Sequence, residues 1–106
     1  MKMNLEKPVV FFDIESTGLN IPTDSIIELS FVKVFPDGER RIKTWRVCPW
    51  DYVNNRQRPI DPGAMAVHGI SNEELTDKPK FWEIVEEVAQ WLEGAELGGY
   101  NSQKFD

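Results

Sequence analysis

The chain has one cysteine and one histidine among its 106 residues. A single thiol, Cys48, rules out an internal disulfide framework and suits a reducing compartment. A single histidine, His68, rules out a histidine-rich metal centre. No apolar run approaches the ~20 residues of a membrane helix, and no signal peptide is visible. The expectation is a soluble, cytoplasmic protein with no membrane partner. Positive charge is also scarce. Twelve Lys and Arg face eighteen Asp and Glu, a net charge of −6. Eight acids fall between Glu73 and Glu96, against Lys78 and Lys80. Such a chain is a poor non-specific binder of nucleic acid, so any activity of that kind needs a local site with cations covering part of the charge.

What is present is enough for a core. The chain is 41% apolar and 11% aromatic, which excludes a disordered segment, and its length fits one domain at most. The run PVVFFD over residues 8–13 reads as a strand buried on both faces. The following STGLNIPTD carries Gly18, Asn20, Pro22 and Asp24 and reads as a loop. SIIELSFVKVF over 25–35, the turn signal Pro36-Asp37-Gly38, and ERRIKTWRVCPW over 39–50 form a β-hairpin candidate. Residues 49–63, rich in Pro, read as irregular. Asp61-Pro62 starts a short helix running through Val67, and Ser71-Asn72-Glu73-Glu74 fits a capping box. Pro79 opens a longer helix to Leu92 or Glu93, with Phe81, Ile84, Val85, Val88 and Leu92 on one stripe and Gly94 as its cap. ELGGYN over 96–101 reads as a last short strand. The order β, β-hairpin, helices, β predicts an α/β domain with a mixed sheet.

The stretch FFDIESTGLN poses the chemical question. Asp13 and Glu15 share one side of the first strand if it persists that far. Two like charges so close repel, so a cation should sit between them or the strand should end in water. Paired oxygen ligands at a strand end suit a hard divalent ion such as Mg²⁺ or Mn²⁺. A bare D-x-E by itself reads more readily as a solvated strand end with two acids.

The wider pattern goes further. FDIESTGL, then HGIS at 68–71, then GYNSQKFD at 99–106, resemble in order the first motif, an intermediate element and the second motif of the DEDD family of 3′-to-5′ exonucleases, the group of the bacterial DNA polymerase III proofreading subunit and ribonuclease T. Ser16 stands where the family's first motif has Thr. Ile60, Pro62, Ala64, Val67, His68, Gly69 and Ile70 match an intermediate element, and Tyr100, Asn101, Phe105 and Asp106 match the second motif. The resemblance runs from Val9 to Asp106. It implies a ribonuclease H-like mixed sheet with flanking helices, incomplete at the C-terminus. It also implies two metal ions, with Asp13, Glu15 and Asp106 as the catalytic, metal-holding acids. Thr17, Gly18 and Leu19 would receive the 3′-terminal nucleotide of single-stranded DNA or RNA, with Asn101 on its sugar or phosphate.

The family's third motif, which carries a general-base His and a fourth Asp, has no match in residues 1–106. His68 falls in the V-H-G-I element and is read as a structural histidine, not that base. The expectation is a partial exonuclease domain, inactive or weak as this chain. A polymerase partner, or self-association through uncovered apolar sheet, is also expected. The alternative is a non-catalytic module on the same fold that binds nucleic acid or protein; three converging acids favour the enzyme. Arg40, Arg41, Lys43 and Arg46 read as a solvated strand face balancing nearby acids, Trp82 and Trp91 as packed, and Trp50 as open. Glu28, inside IIELS, reads as an edge or partner-facing residue.

Overall fold

The computed structural model describes residues 6–18 and 25–100, apart from the Tyr100 side chain. Leu19, Asn101, Phe105 and Asp106 therefore lie outside the described residues. Among the described residues, six strands and three helices follow in the order β1 (Val9–Ser16), β2 (Ile26–Val34), β3 (Arg40–Arg46), β4 (Trp50–Asp51), β5 (Arg56–Gln57), α1 (Pro62–His68), α2 (Asn72–Leu75), α3 (Phe81–Leu92) and β6 (Glu96–Tyr100). Four strands make the main sheet in the order β3-β2-β1-β6. β1, β2 and β3 are antiparallel neighbours, while β6 runs parallel to β1. The mixed sheet expected from the sequence is present.

The hairpin joining β2 to β3 is closed by Phe35 N–H to the Glu39 carbonyl at 2.8 Å and Gly38 N–H to the Phe35 carbonyl at 2.9 Å. Gly38 takes φ +90°, which favours glycine.

The core lies where α3 crosses one face of the sheet. Val10, Leu29, Phe31, Trp45 and Ile84 are buried there, with Phe12, Ile14, Phe81, Val88, Trp91 and Leu92 packed around them. Phe31 and Trp45 meet edge to face at 5.1 Å between centroids, and Trp45 and Trp91 at 6.0 Å. Aromatic pairs in such geometry contribute beyond their buried area. Lys33 Nζ donates to the Trp91 carbonyl at 2.8 Å, satisfying an end-of-helix acceptor.

A smaller cluster of Ile27, Ile60, Ile70 and Leu75 anchors α1 and α2. Strict alternation would set Ile27 with Leu29, yet Ile26 joins the Leu29 cluster and Ile27 the smaller one, at the point where the β1–β2 register slips between Glu15 and Ser16. The bulge re-aims consecutive side chains and ends regular pairing where the carboxylates stand.

Four readings are corrected. Residues 49–63 are not wholly irregular, since β4 and β5 form a two-stranded antiparallel ribbon. β1 is not buried along its length: only Val9 and Val10 are buried, and the residues from Phe11 to Ser16 are half-buried. On α3, Phe81, Ile84, Val88, Trp91 and Leu92 pack on the core as expected, but Val85 of the stripe is 44% exposed and Trp82, read as packed, is 61% exposed. β2 is an interior strand, so Glu28 is not on an edge.

A candidate cation and nucleic-acid site at the end of β1

β1 continues past Asp13 to Ser16, which settles the alternation. Asp13 lies opposite Ser30 and Glu15 opposite Glu28, and β3 extends both rows with Thr44 and Arg46. Directly opposed residues share a face. Asp13, Glu15, Glu28, Ser30, Thr44 and Arg46 therefore stand together on the face away from α3. Ser30 Oγ and Thr44 Oγ1 are 3.0 Å apart, and Arg46 Nε reaches Glu28 Oε1 at 3.1 Å. Arg46 also donates to Glu74 Oε2 of α2 at 2.9 Å. Its guanidinium is held above its ordinary range, first by the Glu28 hydrogen bond.

Arg46 thus brings positive charge to this face. It neutralises Glu28, the third carboxylate of the row. The sequence reading gave Glu28 no such partner, although an acid inside an apolar strand requires one.

Asp13 Oδ1 is shielded from solvent. The donors here are carboxylate oxygens at the carboxyl end of β1, the end at which open α/β sheets bind ligands. Such a donor set fits a hard divalent cation and not a thiolate-seeking one. Cys48, the sole thiol, is buried elsewhere, and burial pushes it up from its usual range. Among the described residues no group of three or more His, Cys, Asp or Glu is gathered as a metal site. Asp106, the third acid the resemblance implies, lies outside them.

Beyond β1 the chain is held tightly. Thr17 is buried; its N–H donates to the Ser25 carbonyl at 2.9 Å, and its carbonyl accepts Asp61 N–H at 2.7 Å. Ser16 Oγ donates to the Gly18 carbonyl and accepts Gly18 N–H at 3.3 Å, a local turn made by the hydroxyl. A Cβ on Gly18 would stand 3.7 Å from Asp61 Cβ. The start of α1 is therefore pinned against the end of β1. An open cleft of about 580 Å³ lies between them, lined by Thr17, Gly18, Asp51, Arg56, Arg58 and Asp61 among others.

His68 closes α1. Its Nδ1 accepts Ile70 N–H at 3.0 Å, and Gly69 takes φ +72°. Its Nε2 is buried with no hydrogen-bond partner among the described residues. This agrees with the structural reading of His68.

The fold and the strand-end carboxylates define a class: ribonuclease H-like α/β domains with an acidic site at the end of the first strand. The chain belongs to the RNase_T family of exonucleases, whose family model matches residues 10–106. It is 47% identical over 98 residues to DNA polymerase III subunit epsilon of Pasteurella multocida, covering 88% of this chain and 36% of that protein. The chain thus spans about a third of that relative's length. Among solved structures it resembles product-bound exonuclease I, with TM-score 0.72, 17% identity, and 92% of this chain and 22% of that one covered. It also resembles exonuclease X in complex with 5′-overhanging duplex DNA, with TM-score 0.60, 25% identity, and 87% and 57% covered. The likeness to exonuclease I speaks for the fold. No helix among the described residues is long and apolar enough to cross a membrane.

Proposed function

We propose that this domain removes nucleotides from the 3′ end of single-stranded DNA in the cytoplasm, as part of a replicative polymerase assembly. The observation that carries the reading is the pairing of Asp13 and Glu15 on one face of β1 in a chain of the RNase_T exonuclease family. The choice of DNA and of a polymerase partner rests on the similarity to the epsilon subunit.

Asp13 and Glu15 hold the divalent cation, Mg²⁺ or Mn²⁺, and Asp106 completes the acid set. Two such ions, when bound, stabilise the attacking and leaving oxygens of the phosphodiester. The chain's own residues do the rest of the positioning. The backbone of Thr17, Gly18 and Leu19 receives the terminal nucleotide, and the bonds of Thr17 to Ser25 and Asp61 fix that residue beforehand. Asn101 contacts the sugar or phosphate. Arg46 keeps Glu28 neutralised beside Glu15, which leaves the Glu15 carboxylate to the cation. Deprotonation of the attacking water is assigned to none of these residues, because His68 is engaged with Ile70.

The family's third motif has no match in these residues, so turnover by this chain alone is weak. Metal binding is therefore the primary readout. Titration of Mn²⁺, followed by electron paramagnetic resonance with thymidine monophosphate present, should show saturable binding that Asp13→Asn and Glu15→Gln abolish. A 5′-labelled strand should shorten from its 3′ end slowly in Mn²⁺ and not at all in EDTA. Unchanged Mn²⁺ binding in both variants would overturn the reading.

A further inference from the structure

The β4–β5 ribbon has no part in the site described above, yet it forms one wall of the cleft that opens at Gly18. The cleft runs from Thr17 and Gly18, past Asp61 and Pro62 at the start of α1, to Arg56 and Arg58 on the ribbon. A volume of about 580 Å³ lies within the range of ligand sites and far exceeds the room one ion needs. In a chain of net charge −6, two arginines on one wall of such a cleft mark a local departure from the overall field.

The charges in the cleft are not all alike, and their engagements differ. Asp51 is committed to the ribbon's own turn. Its Oδ1 accepts Val53 N–H at 3.0 Å and Asn54 N–H at 3.1 Å, and its Oδ2 accepts Asn54 Nδ2 at 2.8 Å. Those bonds, the Asn54 side chain first, hold its carboxyl below the usual range, so it stays ionised as a fixed part of the turn. Asp61 lies at the other end, its carboxylate near Gly18 and Gly63. Arg56 differs from both. Among the described residues its one ion-pair contact is Nε to Asp51 Oδ2 at 4.0 Å, too long for a hydrogen bond. Its side chain is 67% exposed. A guanidinium carries five donors, so Arg56 has a planar fork available to an incoming oxyanion.

The wall that carries Arg56 is rigid. Trp50 pairs with Gln57 and Asp51 with Arg56 across the ribbon. Arg58 N–H donates to the Pro49 carbonyl at 2.9 Å, and Gln57 Nε2 to the Asn72 carbonyl at 2.9 Å. Thr76 Oγ1 donates to Gln57 Oε1 at 3.1 Å, tying the ribbon to the end of α2. A preset wall loses little freedom on binding.

We propose that this cleft is a strand-tracking subsite, in which Arg56 grips a backbone phosphate of the nucleic acid on the 5′ side of the nucleotide held at Thr17 and Gly18. This deepens the exonuclease reading and rests on it for the direction of the strand. Phosphate contacts position a strand without reading its sequence, so the subsite accepts any base. It also gives an acidic domain a way to hold a polyanion that does not depend on the metal ions.

The test measures binding of 5′-fluorescein-labelled dT2 and dT12 by anisotropy in EDTA, where no hydrolysis occurs. It uses the whole chain, Arg56→Gln, Arg56→Lys, and Arg41→Gln as a charge-matched control at the opposite end of the sheet. Circular dichroism confirms that each variant is folded. Arg56→Gln should weaken dT12 binding about tenfold, as loss of one charge-assisted phosphate contact does. It should also reduce the slope of log affinity against log salt by about 0.7. Arg56→Lys should restore most of the affinity, and dT2, which offers fewer phosphates, should lose less in Arg56→Gln than dT12 does. Arg41→Gln should match the wild type. Equal dT12 affinity and salt slope in Arg56→Gln and wild type would overturn the subsite, while Mn²⁺ binding at Asp13 would still stand. Absence of dT12 binding by the wild type would also overturn it. In either case the fate of the exonuclease reading is decided separately, by the Mn²⁺ titration of the Asp13 and Glu15 variants.

Discussion

The two faces of the β3-β2-β1 sheet use the same strands for opposite purposes. Toward α3, the alternate residues Val10, Phe12, Ile14, Leu29, Phe31 and Trp45 meet the helix in an aromatic-rich core. On the other face, one residue out of step, stand Asp13, Glu15, Glu28, Ser30, Thr44 and Arg46. The same period-2 alternation that fills the core also sets three carboxylates in a row. One face lowers the free energy of the fold; the other holds like charges together, with Arg46 as partial relief. A region that departs from what stability favours, beside one that follows it, marks where function resides.

That contrast is open to direct test. Trp45→Ala empties the centre of the α3 face and should destabilise the chain by about 3–5 kcal/mol, read by urea unfolding. Asp13→Asn, on the opposite face, should remove Mn²⁺ binding while leaving the unfolding midpoint within about 0.5 kcal/mol of wild type. If Asp13→Asn were the more destabilising of the two, the assignment of the faces would fail. Gly98→Ala probes the boundary between them. A Cβ there would lie 2.5 Å from Val9 Cγ1 and 2.6 Å from Phe11 Cε1, so those side chains or β6 itself must give way, at a cost of about 1–3 kcal/mol. A melting temperature equal to wild type would show that β6 docks less closely than the structure has it.

Much of this division was legible in the sequence, and the misses have physical causes. The apolar strands, the Pro36-Asp37-Gly38 turn and the capped helices carry strong local signals, and each was found near its place. The β4–β5 ribbon was missed because strands of two residues are too short to show any period. Trp82 and Val85 were misplaced because both look like core residues by type; which residues of α3 the sheet covers is decided by tertiary packing. Glu28 was placed on an edge because strand order is not written in one strand's composition. Asp13 and Glu15 share one face at the end of β1 and Thr17 and Gly18 follow just beyond it, while their roles rest on the motif. For Leu19, Asn101 and Asp106 the sequence pattern remains the basis of assignment, since they lie outside the described residues.

The smaller effects sharpen the comparison, because each face also has a charged rim. Arg46→Gln should cost less than about 1 kcal/mol, since the pairs with Glu28 and Glu74 are partly exposed and screened by water. Its sharper consequence should be functional. With Glu28 left unneutralised opposite Glu15, the affinity for Mn²⁺ should change while the unfolding midpoint barely moves.

On the α3 face the rim is Glu87. Its Oε1 accepts Trp45 Nε1–H at 2.7 Å and its Oε2 lies 3.5 Å from Lys43 Nζ. The indole hydrogen bond, with Lys43 as a further aid, holds the Glu87 carboxyl below its ordinary range. A carboxyl depressed in the folded state adds stability above its unfolded value, and that stability fades as pH falls through the folded one. Between neutral pH and pH 3, the urea midpoint of wild type should therefore fall slightly more than that of Glu87→Gln. Glutamine keeps an acceptor for the indole but has no proton to take up. The carboxylate faces solvent, so this is the smallest of the effects. A pH dependence identical in the two proteins would mean that the indole bond does not distinguish carboxylate from carboxylic acid, and that the α3 face owes nothing to charge.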